Sequence, residues 1–222
     1  ERLQNHDEKQ RDLSAAQMTS IMDRIMTGGE ADNTAQLAGF LAALHVKGET
    51  VEELTAAARV MREHVVKVQV APELQDKLVD TCGTGGDHSG LFNVSTAAAI
   101  VVAAAGGVVA KHGNRSVSSK TGSADLLEAA GVNIQLNATQ VADCIAECGI
   151  GFMFAPNFHP AMKHVMPARK ALGTRTMFNL LGPLTNPAGA KKQVMGVYHE
   201  KWLEPMARVL ATITSQGSPS SE

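Results

Sequence analysis

Aromatic side chains are scarce in this chain: they make up 4% of it, with one Trp and one Tyr. Since hydrophobic residues reach 44%, the core must be built mainly from Ala, Val, Leu, Ile and Met. That suits closely packed helices on a sheet. Cysteine is rare too. Cys82, Cys144 and Cys148 are too few for a disulfide framework in 222 residues. Cys144 and Cys148 stand one helical turn apart but lack a second Cys/His pair at matching spacing, so they read as a buried helix face before a metal half-site. Neither sign of charge dominates, with 20 Lys and Arg against 22 Asp and Glu. No global field then recruits nucleic acid or an anionic membrane, and any anion binding has to be local. No apolar run approaches about 18 residues free of charge, and the polar stretch from Glu1 to Arg11 carries no signal-peptide pattern. A protein of a soluble, reducing, cytoplasmic setting is expected.

The first 70 residues read as helices. Ser14 and Gln17 form a capping box ahead of a stripe of Met18, Met22 and Met26 with Ile21 and Ile25, and Gly28 and Gly29 end it. A second helix runs from about Asp32 or Thr34 to Val46, with Leu37, Leu41 and Leu44 inward and Gly48 as the stop. Thr50 and Glu53 form a second capping box, opening a third helix with Leu54, Ala58, Met61 and Val65 on one face. Pro72 marks a boundary, so the expected domains are a helical one over 1–70 and an α/β one over 71–222.

From Leu78 short apolar runs alternate with helical segments. Strands are expected over Leu78–Asp80, Val108–Ala110, Ile134–Leu136, Phe152–Phe154 and Val194–Val197. Helices are expected over Thr96–Ala105, Ala124–Ala130, Val141–Glu147, Ala161–Leu172 and Lys201–Leu210, with Pro167 kinking its helix or starting a new one. The fold class is α/β: a small N-terminal all-α domain, and a larger domain with a mostly parallel sheet flanked by helices. The Ser-rich, patternless stretch from Thr212 to Glu222 follows a helix that would lead into another strand, so this domain is expected to be incomplete at the C-terminus.

Parallel sheets bind ligands outside the carboxyl ends of their strands, and three loops fall at such positions. Gly83-Thr84-Gly85-Gly86-Asp87 follows the first strand, where glycine amides can approach an anion. It lacks the Lys-Ser/Thr of a P-loop and the spacing of a dinucleotide fingerprint, and by itself a tight turn accounts for it equally well. Asn93, Ser95 and Thr96 lead into an Ala-rich helix, a setting for a phosphate or for simple capping. The second loop, Lys111 to Ser123, gathers three cations, several hydroxyls and two glycines; solvation explains the charges but not the glycines and hydroxyls. The third runs Pro156-Asn157-Phe158-His159-Pro160, with Arg169 and Lys170 on the helix after it.

The stretch from Asp80 to Asp87, the Lys111–Ser123 loop, and Asn179-Leu180-Leu181-Gly182-Pro183-Leu184-Thr185-Asn186-Pro187 together resemble the anthranilate phosphoribosyltransferases, from about Leu13 to Leu210. The resemblance implies a nucleoside-phosphorylase type of fold and a homodimer joined through the helical domains. It also implies a pentosyltransferase of tryptophan biosynthesis that joins anthranilate to 5-phosphoribosyl diphosphate (PRPP), releasing diphosphate. By it, Gly83, Gly86 and Asp87 hold PRPP, with Asn93, Val94, Ser95 and Thr96 beside them. Lys111, His112, Gly113, Asn114, Arg115, Ser116, Val117, Ser118, Ser119 and Ser123 complete the cradle. Ser95 is the implied ligand to magnesium (Mg). Asn114 and Arg169 are implied to bind anthranilate, His112 and His159 to line its path, and Lys111 and His112 to be the catalytic candidates. Two departures stand out. Leu91 replaces a small hydroxyl residue that often touches substrate, and the adjacent Asp-Glu pair that holds the metals, expected beyond Leu210, does not occur there. Two other readings stay open: a pyrimidine-nucleoside phosphorylase, which the Lys111 loop matches less well, and a non-catalytic nucleic-acid binder, which the net charge of −2 disfavours.

Overall fold

The computed structural model describes residues 12–28, 34–86, 91–116 and 121–215. In chain order come α1 (Ala15–Thr27), α2 (Thr34–Lys47), α3 (Val51–Glu63), α4 (Pro72–Gln75), β1 (Leu78–Gly83) and α5 (Val94–Ala104). Next are β2 (Val108–Gly113), α6 (Ser123–Ala129), α7 (Ala138–Cys148), β3 (Ile150–Phe154) and α8 (Ala155–Phe158). A 3₁₀ turn, Pro160–His164, leads to α9 (Met166–Leu172) and α10 (Phe178–Leu181), and β4 (Lys192–Gly196) precedes α11 (Leu203–Ser215). No described helix is long and apolar enough to cross a membrane.

These residues form two compact units. One holds the residues up to Glu63 with Ala161–Leu181 and the segment from Leu203; the other holds His64–Pro160 and Gly182–Trp202. The helical unit thus draws in segments from far beyond the break expected at 70/71. The physical reason lies in α3, whose Leu54, Thr55, Ala56, Ala57, Ala58, Val60 and Met61 are all buried. The single buried face expected for it is too narrow: α1, α10 and α11 all pack against it, while α9 packs on α2.

Both capping boxes form. Ser14 Oγ accepts from Gln17 N and Ser14 N donates to Gln17 Oε1, and Met18, Met22 and Met26 are buried. Thr50 N donates to Glu53 Oε2 at 2.8 Å and Glu53 N to Thr50 Oγ1 at 3.2 Å. Gly28 and Gly48 stop their helices with φ of 75° and 88°. Residues 29–33, including the earlier of the two starts expected for α2, lie outside the described residues.

In the second unit the described strands form one parallel sheet in the order β3-β2-β1-β4. Register pairs Thr81 with Val194, and Lys111 with Phe152. Gly151 on β3 lets α7 sit close: an added Cβ there would lie 2.7 Å from Ile145 Cγ1 and 2.8 Å from Val141 O.

Two expectations are corrected, and one pair of alternatives is decided. Ile134–Leu136 is not a strand; Ile134 instead drops into a cluster with Ala124, Phe152 and Phe154, so the run is apolar because it plugs a gap. Of the two outcomes expected at Pro167, a new helix forms: α9 follows the 3₁₀ turn, with the proline in its first turn. Cys144 is only half-buried and Cys148 is exposed, because Val141 and Ile145 carry the buried stripe of α7.

Glu53 is the most loaded side chain of the helical unit. Fully buried, it accepts from Leu13 N, Thr50 N and the Lys47 ammonium, at 2.9, 2.8 and 2.9 Å. Glu53→Ala should therefore cost about 3 kcal/mol, the scale of a buried charged acceptor lost from three donors. The shift in urea midpoint measures it, and a loss under about 1 kcal/mol, as for a surface pair, would contradict this account.

Candidate active site at the carboxyl ends of β1 and β2

Continued along the strands, the β1–β2 register of Leu78 with Val108 and Val79 with Val109 brings Thr81 level with Lys111. The Lys111 side chain is 2% exposed, and its ammonium donates to Thr81 O at 2.5 Å and to Ser95 Oγ at 3.4 Å. Burial pushes its pKa down, while the charge of Asp80 acts the other way. Asp80 is itself fully buried on β1; its Oδ1 accepts from His112 N at 3.3 Å, and Oδ2 finds no hydrogen-bond partner among the described residues. Burial pushes the Asp80 carboxyl up, with the Lys111 charge opposing. Next to it the Cys82 thiol, raised by burial, accepts from Gln193 Nε2.

The start of α5 is tied to this pair. Thr81 Oγ1 donates to Ser95 O at 2.8 Å, and Thr96 Oγ1 donates to Ser123 Oγ at 2.9 Å. Asn93 and Thr121 are joined twice, Asn93 Nδ2 donating to Thr121 O and Thr121 Oγ1 to Asn93 Oδ1. The beginnings of α5 and α6 are thus stitched together beside the ends of β1 and β2. Gly83 lies against β4, where an added Cβ would meet Gly196 O at 3.3 Å. Gly85 and Gly86 follow with φ of 67° and 66°, a conformation that places glycine amides in reach of a ligand.

Of the residues singled out in the sequence, Asp87, Val117, Ser118 and Ser119 lie outside the described residues. Gly83, Gly86, Asn93, Val94, Ser95, Thr96, Lys111, His112, Gly113, Asn114, Arg115, Ser116 and Ser123 all fall at this edge of the second unit. Val94 and Leu91 are exposed. Arg115 is engaged elsewhere than in an open cradle, its guanidinium gripping Glu128 at 2.7 and 2.9 Å and Asp125 at 3.1 Å. Arg169 lies on α9, in the helical unit, with its pKa pushed down by burial.

His112 and His159 meet with their Nε2 atoms 3.2 Å apart. His112 also hydrogen-bonds the Gly182 backbone, which favours its protonated form. If that ring donates to the Gly182 carbonyl, its Nε2 is left to accept from His159. Burial pushes His112 down to about 3, helped by the neighbouring His159, and pushes His159 down to about 4. Both rings are neutral at physiological pH.

Sequence reading missed Asp80, Asp125, Glu128 and Gln193. The apolar-strand setting of Asp80 was one signal for it, and the Ser123-Ala124-Asp125 start of α6 was another for Asp125. The Asn179–Pro187 motif is a brace: Asn186 Nδ2 donates to Ala110 O at 2.9 Å, just before Lys111, and Pro187 O accepts from Val68 N.

A metal finds few donors here. Among the described residues no three His, Cys, Asp or Glu side chains gather as a metal site. Ser95 offers one neutral oxygen, with an ammonium 3.4 Å from it. By themselves these residues do not fit magnesium, which takes one or two carboxylates besides substrate oxygens.

Glycine amides, helix starts and a buried ammonium converging on one sheet edge describe an α/β protein suited to a phosphorylated ligand. Comparison with known proteins agrees. The profile of the glycosyl transferase family, a/b domain, matches residues 75–218, and that of the same family's helical bundle domain matches residues 1–65. The chain belongs to this glycosyl transferase family. It is 62% identical over 205 residues to an anthranilate phosphoribosyltransferase of Thioalkalivibrio sulfidiphilus, a match spanning 92% of this chain and 59% of that protein. It also resembles the crystal structure of the anthranilate phosphoribosyltransferase of Thermus thermophilus, with TM-score 0.84 and 48% identity over 92% of this chain and 61% of that one. The Saccharomyces cerevisiae enzyme in complex with PRPP and Mg gives TM-score 0.80 and 30% identity over 90% of this chain and 58% of that one. The chain therefore spans about three-fifths of the length of these relatives.

The histidine pair sets a pH dependence. Both folded pKa values lie below the ordinary 6.5. Above 6.5 neither folded nor unfolded chain carries these protons, so the pair contributes no slope. As pH falls below 6.5 the unfolded chain takes up protons that the folded one refuses, and stability drops until about pH 4 and 3. Each histidine gives up to about 1.4 kcal/mol per pH unit. Urea midpoints between pH 7.5 and 4.5 should fall less steeply in His159→Gln than in the unaltered chain; equal slopes would show that the pair is not held neutral.

Proposed function

We propose that this chain carries the catalytic framework of an anthranilate phosphoribosyltransferase, moving the phosphoribosyl group of PRPP onto the amine of anthranilate. The observation that supports it most is the buried Lys111 ammonium, 3.4 Å from Ser95 Oγ at the start of α5 and beside the Gly83–Gly86 loop. In this reading Gly83, Gly86 and Asp87 hold PRPP, with Asn93 to Thr96, the Lys111–Ser119 residues and Ser123 around it. Asn114 and Arg169 take anthranilate, and His112 and His159 line its path. A guanidinium suits the carboxylate of anthranilate because it grips with two parallel bonds. Ser95 would offer one oxygen to a magnesium ion brought in with the diphosphate, the remaining ligands coming from the substrate and from carboxylates other than the residues described above. The 1–70 domain serves dimerisation and forms a wall of the cleft, the assembly is a homodimer, and the setting is the cytoplasm.

The chemistry follows from charge. The bond from the ribose anomeric carbon to the diphosphate oxygen breaks, its electron pair leaving with diphosphate. The amine lone pair forms the new carbon–nitrogen bond, and the nitrogen then loses a proton. Negative charge grows on the leaving oxygens, where Lys111 and the glycine-loop amides stabilise it. A neutral aromatic amine needs no strong base. The His112 lone pair is engaged by His159 in the arrangement above, so we assign His112 an orienting role.

Assay of N-phosphoribosylanthranilate formation tests the reading, with a nucleoside and inorganic phosphate as the rival substrate pair. Lys111→Met should lower turnover roughly 100-fold, the scale of one lost transition-state donor. Arg169→Ala should chiefly raise KM for anthranilate, by about 10-fold or more, as expected for a charged hydrogen bond. Equal effects of both changes on turnover, with anthranilate affinity unmoved, would contradict these roles.

A further inference from the structure

We propose that Asp125, on the first turn of α6, is a positioning residue that closes the base of the loop joining β2 to α6. The proposal rests on the anion-cradle reading above. A single oxygen, Asp125 Oδ2, accepts from two backbone amides, Ser116 N at 2.9 Å and Gly122 N at 2.8 Å. These amides belong to opposite limbs of the loop, so one carboxylate holds the limbs side by side. How close they come is plain at Gly122, where an added Cβ would lie 2.6 Å from Asn114 O and from the Arg115 carbonyl carbon. Only glycine fits there. The other carboxylate oxygen, Oδ1, accepts from Arg115 Nη1 at 3.1 Å. The Ser116 and Gly122 amides, and after them Arg115, hold the Asp125 carboxyl below the usual carboxylate range, as expected of an anion surrounded by donors.

What the clamp holds in place is the cradle. Asn114 O accepts from Ala124 N at 3.2 Å, Ser123 Oγ accepts from Thr96 Oγ1 at 2.9 Å, and Thr121 bonds Asn93. Each contact joins a limb of the clamped loop to the start of α5 or α6. If the limbs part, the residues after Lys111 lose their register with Ser95 and Thr96. Arg115 then has a different part from the one its place in the loop implies. Its guanidinium, shared between Glu128 and Asp125 and lying 5.6 Å over the Phe154 ring, acts as a strut of the clamp and not as an anion ligand.

Asp125→Asn keeps the size of the side chain and removes the charge that faces three donors. PRPP binding in the presence of magnesium, followed by calorimetry, should weaken about 10-fold or more in this variant, the scale of charged hydrogen bonds lost. Its melting temperature should stay within about 2 °C, because the two amide bonds are only partly buried, the Arg115 bond is exposed, and the amide side chain of Asn can still accept from the loop. A purely structural role would move the melting temperature and leave affinity alone. Glu128→Gln spares both amide bonds and should hold affinity within about twofold. Equal PRPP affinity in Asp125→Asn and the unaltered chain would overturn the proposal. So would amide hydrogen exchange at Ser116 and Gly122 of the unaltered chain as fast as in an open peptide, a reading available even if the variant does not fold. If the unaltered chain does not bind PRPP, the cradle reading fails, and the exchange rates alone decide the clamp.

Discussion

A lysine ammonium held almost out of reach of water is the constraint around which the α/β unit is arranged. Among the described residues, the Lys111 ammonium meets Thr81 O, Ser95 Oγ and the charge of the nearby Asp80. An uncompensated charge in such a place is expensive, so the elements supplying those partners cannot move independently. The β1–β2 register, continued along the strands, brings Thr81 level with Lys111, the Thr81 hydroxyl fixes Ser95 on α5, and Asn186 pins the strand one residue before the lysine. Three loops far apart in sequence are thereby committed to one sheet edge.

Much of the fold can be read from residue order because its signals are local. Ser14 with Gln17 and Thr50 with Glu53 are reciprocal caps whose partners lie three residues apart, and both form. The strand ends run further than sequence suggests for the same reason. Leu78–Asp80 and Val108–Ala110 are recognisable as apolar runs, yet each strand continues through residues such as Thr81 and Lys111 whose ladder bonds come from neighbours that no local pattern reveals. Ile134–Leu136 fails in the opposite direction. It has the composition of a strand, but its burial comes from Ile134 filling a gap beside Phe152 and Phe154.

The site is legible in its outline and not in its polarity. Glycines between a strand and a helix, or a run of Lys, Asn, Arg and Ser, announce an anion site by residue type alone. Which charges are available within it depends on partners that residue type does not name. Arg115 reads as a free cation in the sequence, yet Glu128 in the second turn of the next helix takes it bidentately. Asp80 reads as part of a strand ending, while its carboxylate is buried beside Lys111. The histidine pair joins residues 47 positions apart, and nothing local in either neighbourhood signals a neutral, mutually bonded pair.

The two halves of the molecule solve the shortage of aromatic residues differently. In the helical unit α3 is buried nearly all round, and the run Thr55-Ala56-Ala57-Ala58 is what allows it. Small side chains let helices approach closely from several directions, so that backbone-to-backbone packing replaces the bulk that rings would supply. In the α/β unit the same economy appears as glycine, with Gly151 admitting α7 onto β3 and Gly122 admitting one limb of a loop against the other. The helix α5 takes this to its limit. From Ala97 onward it is apolar, yet Ile100 and Val101 remain half-exposed or more, and Val194 on the neighbouring edge strand β4 is exposed on the same side of the sheet as Thr81. Small residues give α5 the closeness it needs at its buried side, where Thr96 and Ala99 lie. A helix apolar beyond its first turn is not one that water selects. Its composition therefore reflects what it packs against and supports at its N-terminal end, where Asn93, Ser95 and Thr96 are held in place for an anion.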